Sequence, residues 1–144
     1  KKIEISKKNR VTEDFMIVAR IESLILKKGL NDALKRAEAY SSAGADGILI
    51  HSKEKNPNEI FKFAKNFRKS KFAKPLICVP STYSKTKEQD LIKNGFKIVI
   101  YANHLLRASY PAMLKTAETI LINQRSSETE KTITPIKEII ELIK

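Results

Sequence analysis

The sequence predicts an α/β fold with one parallel sheet of four strands, each followed by a helix. Four short apolar runs, at residues 15–20, 47–51, 75–79 and 97–101, have the length and composition of buried strands. Segments with helical periodicity lie between them. Strands that alternate with helices are joined by crossover connections, which make the strands parallel.

The first unit is the easiest to delimit. Residues 1–14 are polar and basic without a clear period, and we expect them to form a connection and not a folded start. The strand at 15–20 comes next, and a helix is predicted over 31–43. Asn31 is the expected N-cap of this helix, and Gly44 is the expected terminating glycine.

The second and third helices have sequence signals at their starts. Asn56-Pro57 places a proline at the first helical position, where a missing N–H is tolerated. Residues 86–89 have the form of a capping box, which predicts the start of the third helix. Gly95 is expected to end that helix, just before the fourth strand.

The last part of the chain is predicted to be helical. A long helix spans 104–124, a polar link follows at 125–132, and a final amphipathic helix spans 134–143. We divide the chain into a barrel part, residues 1–124, and a linker with a terminal helix, residues 125–144. The stripe of the final helix consists of Ile136, Ile139, Ile140 and Ile143.

Four strand–helix units are half of an eight-stranded (β/α)8 TIM barrel, and a small open sheet is the competing architecture. A half barrel leaves an open sheet edge and an uncovered apolar face. We therefore expect the chain to need a partner, either the other half of the barrel or a second protomer.

The composition excludes several classes of protein. The chain has 144 residues, of which 42% are hydrophobic and 31% charged, enough for one domain with a core. No apolar run approaches the ~20 residues that cross a bilayer, and no signal peptide opens the sequence, so we expect a cytoplasmic protein without membrane contact. The single cysteine, Cys78, excludes a disulfide framework within one chain.

The net charge of +12 raises the question of nucleic-acid binding. The lysines are scattered over every helix and loop, and no recognition helix, zinc finger or aromatic stacking motif accompanies them. We therefore expect a solvated lysine-rich surface and no nucleic-acid partner. A positive field can still gather anionic substrates.

Polar residues stand where the predicted strands end. In parallel sheets and barrels the carboxyl ends of the strands form one face, where binding and catalytic groups gather. We expect seven residues to converge there although they are distant in sequence: Arg20, Glu22, His51, Ser81, Thr82, Asn103 and His104.

Each of these residues also has a structural interpretation. Arg20 suits a planar anion, which a guanidinium binds through two parallel hydrogen bonds, or it pairs with Glu22. His51 either donates to an anion or is a satisfied structural histidine. Ser81 and Thr82 either donate to a substrate oxygen or cap their loop. Asn103 and His104 either line the rim of the site or form the start of the long helix.

Four segments together carry a specific resemblance to a known family. They are VARIE at 18–22, LKRAEAY at 34–40, AGADGILIHSK at 43–53 and YANHLLRAS at 101–109. In this combination the chain resembles the phosphoenolpyruvate mutase family of the isocitrate lyase superfamily, from about residue 14 to its end. The interval from Arg20 to His51 fits as well.

The resemblance implies that this chain is the carboxyl-terminal half of the barrel. It implies a magnesium-dependent enzyme that interconverts phosphoenolpyruvate and phosphonopyruvate in phosphonate biosynthesis. Arg20 and His51 would be catalytic and hold the transferring phosphoryl group. The substrate-binding set would also include Glu22, Ser81, Thr82 and Asn103.

The resemblance also says what this chain does not supply. The amino-terminal half of the family's barrel holds Mg²⁺ and covers the substrate, so we expect no metal ligands here and no activity of this chain alone. It further implies a homo-oligomer in which the terminal helix is exchanged between protomers. The alternatives are a phosphonopyruvate hydrolase or carbon–carbon lyase of the same superfamily, and a non-catalytic half-domain that binds phospho-ligands.

Overall fold

The computed structural model describes residues 1–142 and contains one sheet. Its strand order is β1-β2-β3-β4, and every neighbouring pair is parallel. The predicted fold class and parallel order are therefore confirmed. A helix follows each strand, as crossover connections require. The strands are β1 Val18–Ile21, β2 Gly47–Ile50, β3 Leu76–Cys78 and β4 Phe96–Val99.

Six helices accompany the sheet in the described chain, five of them at the predicted places. The predicted helix at 134–143 is observed as α6, and Ile143 of its predicted stripe lies outside the described residues. The helices are α1 Lys2–Lys8, α2 Gly29–Ser42, α3 Asn58–Phe67, α4 Glu88–Lys93, α5 His104–Asn123 and α6 Ile136–Glu141.

Helix α1 contradicts the expectation that residues 1–14 are only a connection. No residue of α1 is fully buried, although the partly buried Ile3 packs against the core. A tertiary ion pair also anchors the helix: Lys7 Nζ lies 2.8 Å from Asp46 Oδ1, and Asp46 Oδ2 accepts from the Ile17 N–H at 2.9 Å. Local periodicity does not report a contact between residues so far apart in sequence.

The predicted N-cap of α2 is wrong. Asn31 lies inside α2, which begins at Gly29. The turn after β1 leads directly into the helix, since the Lys28 N–H donates to the Ser23 carbonyl oxygen at 2.8 Å and Lys27 has a left-handed φ of 55°. Backbone hydrogen bonds of this turn take the place of a capping side chain.

Two other predicted helix starts are shifted by local turns. Pro57 is the N-cap of α3 and not its first residue, because Asn56 Oδ1 accepts from the N–H two residues later at 3.1 Å. The capping box at 86–89 does not form, since α4 begins at Glu88 without a side-chain cap. The Thr86 N–H instead closes the preceding turn on the Tyr83 carbonyl oxygen at 3.0 Å.

The predicted helix ends are confirmed. Gly44 has a φ of 100° and follows the last turn of α2. Its N–H donates to the Ser41 carbonyl oxygen at 3.0 Å, and the Ala45 N–H donates to that of Tyr40 at 3.0 Å, which is the Schellman pattern. Gly95 ends α4 with a φ of 94°. These endings bring the chain into β2 and β4 within a few residues.

The core joins the strands to apolar faces of the helices. Ile48 and Ile50 of β2 are fully buried in one cluster with Ile60 and Phe63 of α3. The rings of Phe63 and Phe67 stack with centroids 5.6 Å apart. Burial of each large side chain contributes about 1.5–3 kcal/mol, so this cluster fixes the strands whose ends carry the polar residues.

The one cysteine lies inside this core. Cys78 is in β3 and has no exposed surface, in agreement with its place in an apolar run. Burial raises the pKa of its thiol to about 11, so the thiol stays protonated near neutral pH.

The chain forms two compact units, of which Lys1–Ala102 contains the sheet and the second begins at Asn103. In the second unit, α5 has no buried residue, and Thr129 is buried in the turn before α6. Leu105 and Leu121 of α5 are 86% and 76% exposed. Among residues 1–142, no helix is both long and apolar enough to cross a membrane. The predicted division after residue 124 stays a prediction.

Candidate functional site

The carboxyl ends of β1 and β2 bring three of the predicted residues together. In the parallel register Ile21 lies opposite Ile50, and the His51 N–H extends the ladder by donating to the Ile21 carbonyl oxygen at 3.4 Å. Arg20 and Glu22 are two residues apart on β1 and its end, so their side chains emerge on the same face. The strand pairing thus places these two side chains beside His51.

The three side chains contact one another directly. Arg20 Nε donates to Glu22 Oε1, and Arg20 Nη2 lies 2.6 Å from His51 Nδ1. Glu22 Oε2 lies 3.3 Å from the same imidazole nitrogen. The guanidinium therefore divides its donors between a carboxylate and an imidazole.

Only one of the two contacts to His51 Nδ1 forms in a given protonation state. A guanidinium only donates, so its contact requires Nδ1 as acceptor and places the imidazole proton on Nε2. A carboxylate only accepts, so the Glu22 contact requires a proton on Nδ1. The ring accepts from Arg20 when its only proton is on Nε2, and it donates to Glu22 whenever Nδ1 carries a proton.

The site is open and retains an ionised carboxylate. The side chains of Arg20 and His51 are 53% and 29% exposed. Burial acts to raise the pKa of Glu22, but hydrogen bonds from Arg20 and His51 and their positive charge outweigh it, so this pKa lies below its ordinary value. An anion from solution can therefore reach Arg20, and Glu22 is its competitor for the guanidinium.

A cavity of about 250 Å³ adjoins Arg20 and Glu22. Several cationic and polar side chains that line it were not among the predicted site residues. Asp32 organises this wall by accepting from Ser23 Oγ at 2.6 Å and from Arg36 Nε at 2.8 Å. These two hydrogen bonds lower the pKa of Asp32. The LKRAEAY segment was the signal that pointed here. The further lining residues are Ser23, Leu26, Lys28, Arg36 and Tyr40.

Thr82 and Ser81 lie in the loop after β3. Thr82 Oγ1 donates to the carbonyl oxygen of Ser52 at 3.0 Å, which ties this loop to the one after β2. The Ser81 N–H donates to the Val79 carbonyl oxygen at 2.9 Å. These contacts agree with the loop-capping interpretation, and a substrate-binding role for either residue stays a prediction.

Asn103 and His104 begin the second unit. Asn103 occupies the N-cap position of α5 without a side-chain capping bond, and its carbonyl oxygen accepts from the Arg107 N–H at 2.9 Å. His104 is the first residue of α5. The position of Asn103 agrees with the helix-start interpretation, and its assignment as a substrate-binding residue stays a prediction.

The described residues do not fit a magnesium site. Among residues 1–142, no three or more His, Cys, Asp or Glu side chains are grouped so that they could hold a metal ion. Glu22, which contacts both Arg20 and His51, already accepts a hydrogen bond from Arg20. Residues 1–142 therefore supply no ligand set for Mg²⁺, and the expectation that the ligands lie elsewhere in the barrel stays a prediction.

Comparison with known proteins identifies the family to which this chain belongs. The family model described as phosphoenolpyruvate phosphomutase matches residues 1–121. The chain belongs to this family. It is 40% identical over 141 residues to the phosphoenolpyruvate phosphomutase of Tetrahymena pyriformis, which covers 98% of this chain and 46% of that protein.

Solved structures of phosphoenolpyruvate phosphomutase relatives agree in fold. The crystal structure of the phosphoenolpyruvate phosphomutase from Streptomyces platensis subsp. rosaceus has a TM-score of 0.86 and 40% identity, over 98% of this chain and 48% of that one. A phosphonopyruvate hydrolase in complex with oxalate and Mg²⁺ has a TM-score of 0.86 and 38% identity, over 98% and 49%. The chain spans about half the length of the curated relatives it matches. The predicted family and the predicted half-barrel are confirmed.

Proposed function

We propose that this chain supplies the phosphoryl-binding residues of an enzyme that interconverts phosphoenolpyruvate and phosphonopyruvate. The observation that carries the proposal is the Arg20–His51 pair, whose nitrogens lie 2.6 Å apart at the strand carboxyl ends. Family membership supports the reaction class. The rest of the barrel is provided by residues outside this sequence.

Arg20 is suited to hold the phosphoryl group while that group is transferred between oxygen and carbon. The reaction moves a phosphoryl group between an enol oxygen and the methylene carbon: one bond from phosphorus to carbon breaks as one to oxygen forms, or the reverse. In a loose transition state the charge spreads over the three phosphoryl oxygens, which do not react. A planar guanidinium binds two of these oxygens throughout, so Arg20 can hold the group during the transfer.

His51 complements Arg20 in this role. With Nδ1 accepting from Arg20, the neutral imidazole carries its proton on Nε2 and can donate it to a phosphoryl oxygen. Glu22 keeps Arg20 in place before substrate binds, and it yields one guanidinium donor when an anion enters. A closed site is also needed, since water would capture the group in transit.

The proposal has two further parts, a metal cofactor and an assembly of protomers. We propose Mg²⁺ as cofactor, supported by the relative whose structure holds oxalate and Mg²⁺, with ligands from the rest of the barrel. We also propose a homo-oligomer that covers exposed apolar side chains of α5 and α6, such as Leu105 and Ile136.

Phosphonopyruvate hydrolysis is the second candidate, because a hydrolase matches this chain nearly as well as the phosphomutases do. Its substrate carries the same phosphonyl group, which Arg20 and His51 would hold in the same way. The difference is the acceptor: water takes the phosphoryl group, and the carbon left behind takes a proton.

A ³¹P NMR experiment separates the two reactions. Phosphonopyruvate is added, with Mg²⁺, to enzyme that contains this chain within a complete barrel. Conversion of its signal into that of phosphoenolpyruvate supports the mutase, and conversion into inorganic phosphate with release of pyruvate supports the hydrolase. An unchanged spectrum, with the Arg20→Ala protein as the matched blank, would reject both.

A further inference from the structure

The residue after His51 has an unusual set of contacts. Ser52 is 1% exposed, although it lies in a loop where its neighbours Lys53 and Glu54 are exposed. A buried hydroxyl must find partners, because an unpaired one costs about 1–3 kcal/mol. The partners of Ser52 come from its own loop, from α3 and from the loop after β3.

Three hydrogen bonds hold Ser52. Its Oγ donates to Glu59 Oε1 in the first turn of α3 and accepts from the Glu54 N–H at 3.0 Å. Its carbonyl oxygen accepts from Thr82 Oγ1 at 3.0 Å. Both the side chain and the backbone of this residue are therefore fixed.

These contacts bear on His51 because only one peptide unit separates the two residues. The His51 N–H donates to the Ile21 carbonyl oxygen of β1 at 3.4 Å, which fixes the residue on its amino side. Ser52 fixes it on the carboxyl side. With its backbone held at both ends, His51 has few ways to change the distance between its imidazole and Arg20.

We propose that Ser52, Glu59 and Thr82 form an anchor that positions the His51 imidazole against Arg20. They are positioning residues, since their side chains bond to Glu54, to Ser52 and to one another and not to the side chains of Arg20 and His51. The inference rests on the proposed function only in taking His51 as a ligand of the phosphoryl group. It gives Thr82 a role other than donation to substrate, because its hydroxyl proton is engaged by the Ser52 carbonyl oxygen.

The test uses the full 144-residue chain, which contains only two histidines, so its imidazole ¹⁵N spectrum has two sets of signals. A His104→Gln variant assigns them. Thr82→Val removes the hydroxyl at nearly constant volume, and Thr82→Ser restores it. Thr116→Val is the matched control, since Thr116 Oγ1 also donates to a carbonyl oxygen, at 2.9 Å, within α5.

We expect Thr82→Val to shift the His51 nitrogen signals, Thr82→Ser to return them, and Thr116→Val to leave them unchanged. Glu59→Ala removes the acceptor of the Ser52 Oγ hydrogen bond and provides a second, independent perturbation of the same anchor if the valine variant unfolds. Unchanged His51 signals in a folded Thr82→Val or Glu59→Ala chain would overturn the proposal, even if the melting temperature falls.

Kinetics in the complete barrel provide the second readout. We expect Thr82→Val to lower kcat about fivefold, in line with the loss of one ordinary hydrogen bond, with little change in KM for phosphonopyruvate. A rise in KM at constant kcat would instead indicate direct substrate binding by Thr82 and would reject the anchor. If the His51 signals shift as expected while Arg20→Ala retains full turnover, the anchor stands and the proposed function fails.

Discussion

The two ends of the β1–β2 pair carry the same kinds of group and use them differently. At the amino end, Asp46 accepts from Lys7 at 2.8 and 3.1 Å and from the Ile17 N–H at 2.9 Å. At the carboxyl end, Glu22 accepts from Arg20, while both residues also approach His51 Nδ1. The first set of donors and acceptors is matched, whereas in the second set two groups compete for one nitrogen.

From this difference we infer that one end of the strand pair serves stability and the other serves anion binding. A matched carboxylate gains nothing from an incoming ligand, so the Asp46 end serves folding. An arrangement with competing partners loses little when an anion replaces one of them, so the Glu22 end is available for binding. Substitutions at the two ends should therefore affect different measurements.

The largest expected effect is that of Arg20→Ala on turnover. Loss of the guanidinium removes the planar donor that we propose for the phosphoryl group, and we expect kcat to fall about a thousandfold in enzyme with a complete barrel. Arg20→Lys should restore little of the turnover, because the compact charge of an ammonium group does not replace the paired donors of a planar guanidinium. Steady-state kinetics with phosphonopyruvate and a thermal melt check this. Near-normal turnover, or a melting temperature that falls with the activity, would contradict a binding role for this end of the strand pair.

His51→Ala should come next, with a loss of about a hundredfold in kcat for one donor to a charged oxygen. The fold should persist, since this histidine is partly exposed and packs little. Far-ultraviolet circular dichroism of the variant provides the control. Full activity in the variant would leave Arg20 as the sole phosphoryl ligand and would contradict the paired role.

Glu22→Gln should have an intermediate effect, about tenfold in kcat/KM, because an amide orients Arg20 less well than a carboxylate does. The pKa of Glu22 is lowered, so its carboxylate is ionised above that value and becomes neutral as the pH falls through it. The ratio of wild-type to variant kcat/KM should therefore approach one at acidic pH. A ratio that is constant with pH would show that the charge of Glu22 is irrelevant.

Asp46→Asn should have the smallest effect on turnover and a clear effect on stability. Hydrogen bonds from Lys7 and from the Ile17 N–H lower the pKa of Asp46. The stabilising contribution is thus fully present above the ordinary pKa of about 3.9 and is lost as the pH falls through the lowered value. At pH 7 we expect a loss of about 1–2 kcal/mol in the free energy of unfolding, with kcat unchanged at 25 °C.

Urea denaturation at several pH values measures this effect. The stability difference between wild type and Asp46→Asn should shrink as the solution becomes acidic. Glu13→Gln is the matched control, because Glu13 is 97% exposed and its nearest cationic nitrogen, on Arg10, is 3.8 Å away. An equal loss in both variants would remove the distinction between the two ends.

Local signals predicted the strands and the ends of α2 and α4, and the topology of the sheet predicted that Arg20 and His51 lie close together. Apolar runs mark the strands, and glycines that need a positive φ mark the ends of α2 and α4. Strand ends converge by topology alone, so polar residues placed there come together without any knowledge of side-chain contacts.

The rest depends on contacts between distant residues, which the sequence does not report. Helix α1 is anchored through Lys7 and Asp46, 39 positions apart. The Ser52 anchor joins residues 30 positions apart through Thr82, and a serine beside a histidine gives no sign of it. The predicted starts of α2 and α4 were wrong for a related reason: backbone turns take the place of the capping side chains that we expected.

The buried Cys78 thiol gives the sheet a natural chemical reporter. It is the chain's only cysteine, has no exposed surface and lies in β3, between two neighbouring strands. A thiolate forms readily only after the sheet opens, because burial holds the pKa near 11 in the closed state. The rate at which a small reagent alkylates Cys78 therefore measures how often the central strands open, without an introduced label.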